Sequence, residues 1–308
     1  MNIIIFPSPD KDLNINERMF CNPIIHSNFK YVVDTEITTL NDYLNDSINK
    51  ISSITILLDN YGTFIQNNID FIISNKHIKF YIHENDIHYL ASKRTAYNRY
   101  MLLRDKLINN THVFILAYYW YHYPTLYKIN LNNIICFPKF VFDKNIIKLN
   151  IDPINKVILS GSMCKQYPMR KYLKSLNHKN IDILTHSDGI FGDEYYRYLN
   201  KYLCGFTCCS NKSTPYIINK FFEIPAAGLL LLAYDEYVKN PLMEIGFIDN
   251  ENYISCTKEN VIDKINYICD EKNRKEINRI RLNGYTLVKT NHTIKNRFDT
   301  LFRLLNNK

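Results

Sequence analysis

Glu223 is the residue of this chain whose setting most demands chemistry. It lies in the run Asn219-Lys220-Phe221-Phe222-Glu223-Ile224-Pro225-Ala226-Ala227-Gly228, a carboxylate among mostly apolar neighbours. Burying such a group alone is costly, so it must meet either a base or a ligand. A salt bridge to Lys220 or another base would satisfy it. So would two neighbouring hydroxyls, which makes a ribose 2′,3′-diol a natural partner. A short helix is expected here with Pro225 in its first turn, the place where proline is tolerated. Gly228 is placed to end that helix in a left-handed conformation, before a buried strand.

Two further stretches carry groups suited to chemistry. Val157-Ile158-Leu159-Ser160-Gly161-Ser162 reads as a strand leaving into a small-residue turn, continued by Tyr167-Pro168-Met169-Arg170 at a helix start. Backbone N–H groups in such a turn can approach an anion, and the next helix N-terminus favours negative charge. Lys165 and Arg170 would complete a diphosphate cradle; the plainer alternative is a simple connection with Arg170 on the surface. Tyr81-Ile82-His83-Glu84-Asn85-Asp86-Ile87-His88-Tyr89 gathers four ionisable groups after a strand, where α/β proteins bind ligands. Asp86 and His88 are the general-base candidates, able to take a proton from an attacking hydroxyl. A metal site from His83, Glu84, Asp86 and His88, or a solvated loop, are the alternatives. The aromatic run Tyr118-Tyr119-Trp120-Tyr121-His122-Tyr123 would either stack on a sugar or base, or cap the core.

The elements that must position these groups alternate regularly. Apolar runs at 3–6, 31–33, 54–58, 79–82, 112–117 and 133–136 predict strands, and 40–51, 64–74 and 91–109 have helical spacing. Most of the strands are continuous and β-branched or aromatic, as in a parallel sheet covered on both faces. A mixed tract with Pro138 and Pro153 interrupts the rhythm, and a second series follows. Its strands are expected at 157–160, 181–184, 203–209, 229–233 and 252–256, its helices at 168–176, 192–201, 219–227, 258–270, 272–282 and 292–305. The alternation predicts an α/β fold of two Rossmann-like domains facing across a cleft, where a ligand would bind.

Composition narrows the class. Apolar residues make up 46% and charged residues 22% of the 308, the balance of a folded globular protein. No apolar run reaches the roughly 18 residues of a membrane span, and the start lacks the features of a signal peptide. The eight cysteines are scattered with no C-x-x-C pair, as free thiols in a reducing compartment are. A cytoplasmic protein is expected. The net charge of +8 and 24 tyrosines invite a nucleic-acid reading, but the basic residues are dispersed and no nucleic-acid partner is expected.

These residues together resemble the group 1 glycosyltransferases of the spore-maturation type, which have the GT-B fold. The likeness runs over 157–305. It rests on the strand-Gly-Ser turn with Tyr167-Pro168-Met169-Arg170, on Phe222-Glu223-Ile224-Pro225-Ala226-Ala227-Gly228, on Glu244-Ile245-Gly246-Phe247 with Asn252-Tyr253-Ile254, and on the closing Asn291-His292-Thr293-Ile294-Lys295-Asn296-Arg297-Phe298. Asp86-Ile87-His88 resembles the Asp-x-His of relatives. The composition resembles that of a giant virus or another organism with an A/T-rich genome.

The resemblance implies a metal-independent glycosyltransferase that moves a sugar from a nucleoside-diphosphate sugar to a hydroxyl acceptor, whether glycan, protein or small molecule, with no cofactor. It implies an acceptor-side domain over 1–145, a donor domain over 155–290, and a last helix over 291–308 crossing back to the N-terminal domain. Glu223 would hold the donor ribose, and Gly161 and Ser162 would face the diphosphate. Lys165, Arg170, Lys220 and Gly228 would complete the donor side, with Asp86 or His88 as base. Many retaining relatives carry a second glutamate eight positions before the ribose one; here that position is Pro215. A nucleotide-sugar epimerase or hydrolase, and a non-catalytic nucleotide- or sugar-binding protein, are the alternatives.

Overall fold

Runs of isoleucine, leucine and valine form two separate parallel sheets in the computed structural model. It describes residues 1–6, 30–33, 39–44, 47–57, 62–84, 106–125, 132–209, 212 and 215–306. The chain divides into two units, Met1–Pro138 with Phe298–Lys308, and Lys139–Arg297.

In the first unit, β1 (Asn2–Phe6), β2 (Lys30–Val33), β3 (Ser53–Ile56), β4 (Lys79–Glu84), β5 (Val113–Ala117) and β6 (Ile134–Cys136) lie in the order β2-β1-β3-β4-β5-β6. Every neighbouring pair is parallel. Ile3, Ile4, Ile54, Ile56, Ile82 and Ile115 are fully buried, which is why these strands read as unbroken apolar runs. Of the helix expected over 40–51, α1 is described over Leu40–Leu44, and a 3₁₀ turn lies at Ile48–Lys50. Asn68 of α2 (Gly62–Ser74) accepts from the Leu40 amide at 2.6 Å and so fixes the start of α1. Most of the helix expected over 91–109 lies outside the described residues. Helix α3, described over His122–Thr125, follows β5. The end of the chain belongs with this unit: Asn2 Nδ2 donates to the Leu305 carbonyl and the Tyr81 hydroxyl to that of Leu304.

In the second unit, β7 (Ile154–Ser160), β8 (Ile181–Leu184), β9 (Tyr202–Cys208), β10 (Leu230–Tyr234) and β11 (Ile254–Cys256) form a five-stranded sheet ordered β11-β10-β9-β7-β8. All its pairs are parallel. Its helices are α4 (Pro168–Ser175), α5 (Gly192–Leu199), α6 (Lys220–Ala226), α7 (Lys239–Glu244), α8 (Val261–Cys269) and α9 (Arg274–Asn291); α10 (Ile294–Asn306) closes the chain. From β7 the chain goes to the edge strand β8, then crosses back to β9 on the other side of β7. That reversal makes the carboxyl ends of β7 and β9 a topological switch point, the place where open α/β sheets bind ligands in a crevice.

Two helices depart from expectation for packing reasons. α9 was expected to stop near 282 but runs on to Asn291 through Gly284. A glycine inside a helix costs roughly 0.5–1 kcal/mol relative to alanine. Here a Cβ would lie 2.3 Å from the Asn252 carbonyl oxygen, so the residue marks a close backbone approach and no helix end. In α6, Pro225 is in the last turn instead of the first, because the helix already begins at Lys220. Its missing N–H forfeits the bond to Phe221, and the helix stops one residue later. Gly228 (φ +80°) then closes it: the Gly228 amide bonds the Pro225 carbonyl at 2.8 Å and the Leu229 amide that of Ile224 at 3.2 Å. This is a Schellman cap.

Among the described residues, no helix is long and apolar enough to cross a membrane. Cys204, Cys208, Cys209 and Cys256 are buried free thiols, whereas Cys136 and Cys164 are exposed.

Candidate functional site

Three strand-to-helix connections bring side chains to the crevice beside β7. The first is the turn at Gly161 and Ser162, which leaves β7 with Gly161 at φ +96°, a region closed to most other residues. A Cβ on Gly161 would stand 2.8 Å from Lys220 Cε and 3.0 Å from an Arg170 guanidinium nitrogen. The absent side chain therefore makes room for two cations directly above the turn.

Arg170 comes from the first turn of α4 and is 2% exposed. Nη1 donates to the Ser162 carbonyl at 3.3 Å, and Nη2 to Oγ1 of Thr207, near the end of β9, at 3.1 Å. The guanidinium lies over the Tyr167 ring, 4.4 Å from its centroid. Nε has no hydrogen-bond partner, and among the described residues no carboxylate lies within ion-pair distance. A cation this deep without a counter-ion is costly. An anion in the crevice would offset that cost.

Lys220 and Glu223 both project from the first turn of α6, which Gly205 of β9 seats closely: a Cβ there would meet Ile224 Cγ2 at 2.9 Å. Lys220 Nζ donates to Glu223 Oε2 at 2.9 Å and to the Tyr195 hydroxyl of α5 at 2.6 Å. Ser160 Oγ lies 2.9 Å from that same hydroxyl. Burial works against the Lys220 charge, but Glu223 and Tyr195 outweigh it and its pKa is raised. Burial, with the neighbouring Glu223 charge, pushes the next tyrosine, Tyr196, well above its ordinary value, so it stays a neutral phenol.

Of the residues singled out from sequence, Gly161, Ser162, Arg170, Lys220 and Glu223 thus converge. Ser162 contributes its carbonyl to Arg170, and its side chain bonds the Cys164 thiol. Lys165 is exposed, and no hydrogen bond or ion pair ties it to the cluster among the described residues. Gly228 is at the opposite end of α6, where its carbonyl accepts from Arg281 Nε at 2.5 Å and a Cβ would meet Asn200 and Leu149. Ser160, Tyr195 and Thr207 belong to the cluster but carried no sequence signal.

In the first unit, the acidic run is described only as far as Glu84; Asp86 and His88 lie outside the described residues. The Tyr123 hydroxyl donates to Glu84 Oε2. His83 is buried, edge-on to Tyr118 at 4.6 Å and Phe137 at 5.7 Å. Tyr118, Tyr119, Tyr121 and Tyr123 are buried too, so the aromatic run caps the core. Among the described residues, no group of three or more His, Cys, Asp or Glu is arranged to hold a metal ion.

The cluster is thus a glycine turn under two cations, at the switch point of a parallel sheet. Residues 153–303 match the glycosyl transferase-like family. No curated protein sequence matches the chain. Among solved structures, TarM from S. aureus superposes with a TM-score of 0.57 at 13% identity, covering 86% of this chain and 57% of its own. An α-glucosyltransferase in complex with UDP gives 0.57 at 10% identity, over 100% of both chains. HepE from Anabaena, in complex with UDP and glucose, gives 0.57 at 9% identity over 100% and 99%. The chain thus spans just over half the length of TarM. At these identities the likeness is one of fold, that of two parallel-sheet α/β units. The glycosyl transferase-like segment contains every residue of the crevice cluster.

Proposed function

We propose that the protein is a GT-B glycosyltransferase that takes a sugar from a nucleoside-diphosphate donor and passes it to a hydroxyl acceptor. The observation that carries this reading is Arg170, a buried guanidinium with no acidic partner among the described residues, set over the Gly161 turn at the carboxyl ends of β7 and β9. The donor diphosphate would lie on the turn, its charge met by Arg170, Lys220 and backbone N–H groups. These groups strengthen their hold as the diphosphate leaves and its charge grows, so the mechanism does not require a metal. Glu223 would exchange Lys220 for the ribose hydroxyls. Solved proteins of this fold in complex with UDP support the donor class. We assign acceptor activation to Asp86 or His88 of the first unit, on the sequence resemblance.

The test is Arg170→Met. An apolar chain of similar length removes an uncompensated buried charge, so the ligand-free fold should melt at the same temperature or higher. Affinity for the best of UDP, GDP, dTDP and ADP should fall at least about tenfold, since a charge-assisted pair contributes on the order of 1.5–3 kcal/mol. Unchanged affinity would remove the diphosphate assignment. Pro215, where relatives have a second glutamate, favours a second reading in which the site binds but does not transfer. Product analysis with donor, with and without a hydroxyl acceptor, separates transfer from hydrolysis and from binding alone.

A further inference from the structure

Tyr195 links the two sides of the Gly161 turn. Its hydroxyl accepts from Lys220 Nζ at 2.6 Å and lies 2.9 Å from Ser160 Oγ, on the last residue of β7. With one lone pair taken by the ammonium, the hydroxyl's own proton is free to go to Ser160. The Lys220 nitrogen also lies 4.4 Å from the Tyr195 ring centroid. Lys220 therefore has two anchors of different kinds, a charged one in Glu223 and a neutral one in Tyr195. The donor reading gives Glu223 another partner, and a carboxylate occupied by ribose hydroxyls loosens its grip on the lysine. A lysine stem with no second anchor would sample many rotamers.

We propose that Tyr195 is a positioning residue of the diphosphate subsite, holding the Lys220 ammonium over the Gly161 turn when Glu223 engages the ribose. The inference rests on the donor reading above and deepens it.

Tyr195→Phe keeps the ring and deletes only the hydroxyl. Calorimetry would first find which of UDP, GDP, dTDP and ADP the wild-type chain binds. That diphosphate and its parent nucleoside would then be titrated into wild type, Y195F, K220M and the double variant. Y195F should weaken the diphosphate about tenfold, leave the nucleoside unchanged, and add nothing in the K220M background. Equal diphosphate affinity in wild type and Y195F, equal losses for nucleoside and diphosphate, or an additive loss in the double variant overturns the role of Tyr195. A wild type that binds no nucleoside diphosphate instead sinks the donor reading itself. Should Y195F melt below the assay temperature, Ser160→Ala replaces it: a loss confined to the diphosphate supports the proposal, and no loss overturns it.

Discussion

Lys220 and Glu223, three residues apart on α6, form an ion pair of 2.9 Å that is not sealed from solvent: their side chains are 17% and 19% exposed. The pair answers one question the sequence posed, because a carboxylate in this apolar helix needed a partner and has one in the ligand-free chain. A mostly buried ion pair contributes little net stability, because desolvation offsets its attraction. A nucleotide that gave Glu223 its hydroxyls and Lys220 its phosphate would keep both charges partnered in the exchange.

Glu223→Ala follows from that openness. The variant should stay folded but lose stability, on the order of 1–3 kcal/mol, because a mostly buried Lys220 is left without its carboxylate. Its affinity for nucleosides and nucleoside diphosphates should drop together, because the ribose is common to both. A 2′-deoxy nucleotide should be less sensitive to the substitution than its ribo counterpart. Titrations indistinguishable from wild type would withdraw the ribose from Glu223.

Gly284→Ala tests a different link, between sequence and packing. On an open helix the substitution would stabilise by roughly 0.5–1 kcal/mol. In α9 the new methyl group would sit 2.3 Å from the Asn252 carbonyl oxygen. The helix must shift, and the sign reverses to a loss of about 1–3 kcal/mol. Urea denaturation reads the difference directly, and a stabilised variant would show that the two backbones are farther apart than described.

His292 sets a pH dependence. Its Nδ1 accepts from Arg297 at 2.8 Å and its Nε2 lies 2.9 Å from the Ile245 carbonyl, with the ring packed against both Phe222 and Phe247. Burial, reinforced by the Arg297 charge, pushes its pKa down from 6.5 to about 3. Above 6.5 both folded and unfolded chains carry it neutral, and its contribution is complete. Below that value only the unfolded chain gains the proton, so stability falls as pH drops towards 3. Between about pH 7 and about pH 5.5 the loss should be about 1 kcal/mol. His292→Gln, less stable at neutral pH, should lack that decline; an equal decline in both proteins would move its origin elsewhere.

The parallel sheets were legible because strands buried on both faces must be continuous apolar runs, as β3, β5 and β10 are. The Gly161 turn was legible as a turn, because small residues interrupt the apolar run of the strand; the two cations above it were not. At Glu223 the sequence showed the need for a partner, and only the fold could choose Lys220. Tyr195 was invisible: 35 residues separate it from Ser160, and one tyrosine among 24 on an amphipathic helix carries no signal. Pro225 misled because proline usually opens a helix, whereas here it fills the final turn. Gly284 lies inside α9 because it accommodates a neighbouring backbone.

The far end of α6 is fastened from several directions. Arg281 holds the Gly228 carbonyl, Asn200 Nδ2 that of Ala227 at 2.7 Å, and the Ile147 amide that of Ala226 at 2.9 Å. A helix bolted at its base behaves as a fixed post. Lys220 and Glu223 can then meet an arriving nucleotide by torsion about their own side-chain bonds, with the backbone that carries them held in place.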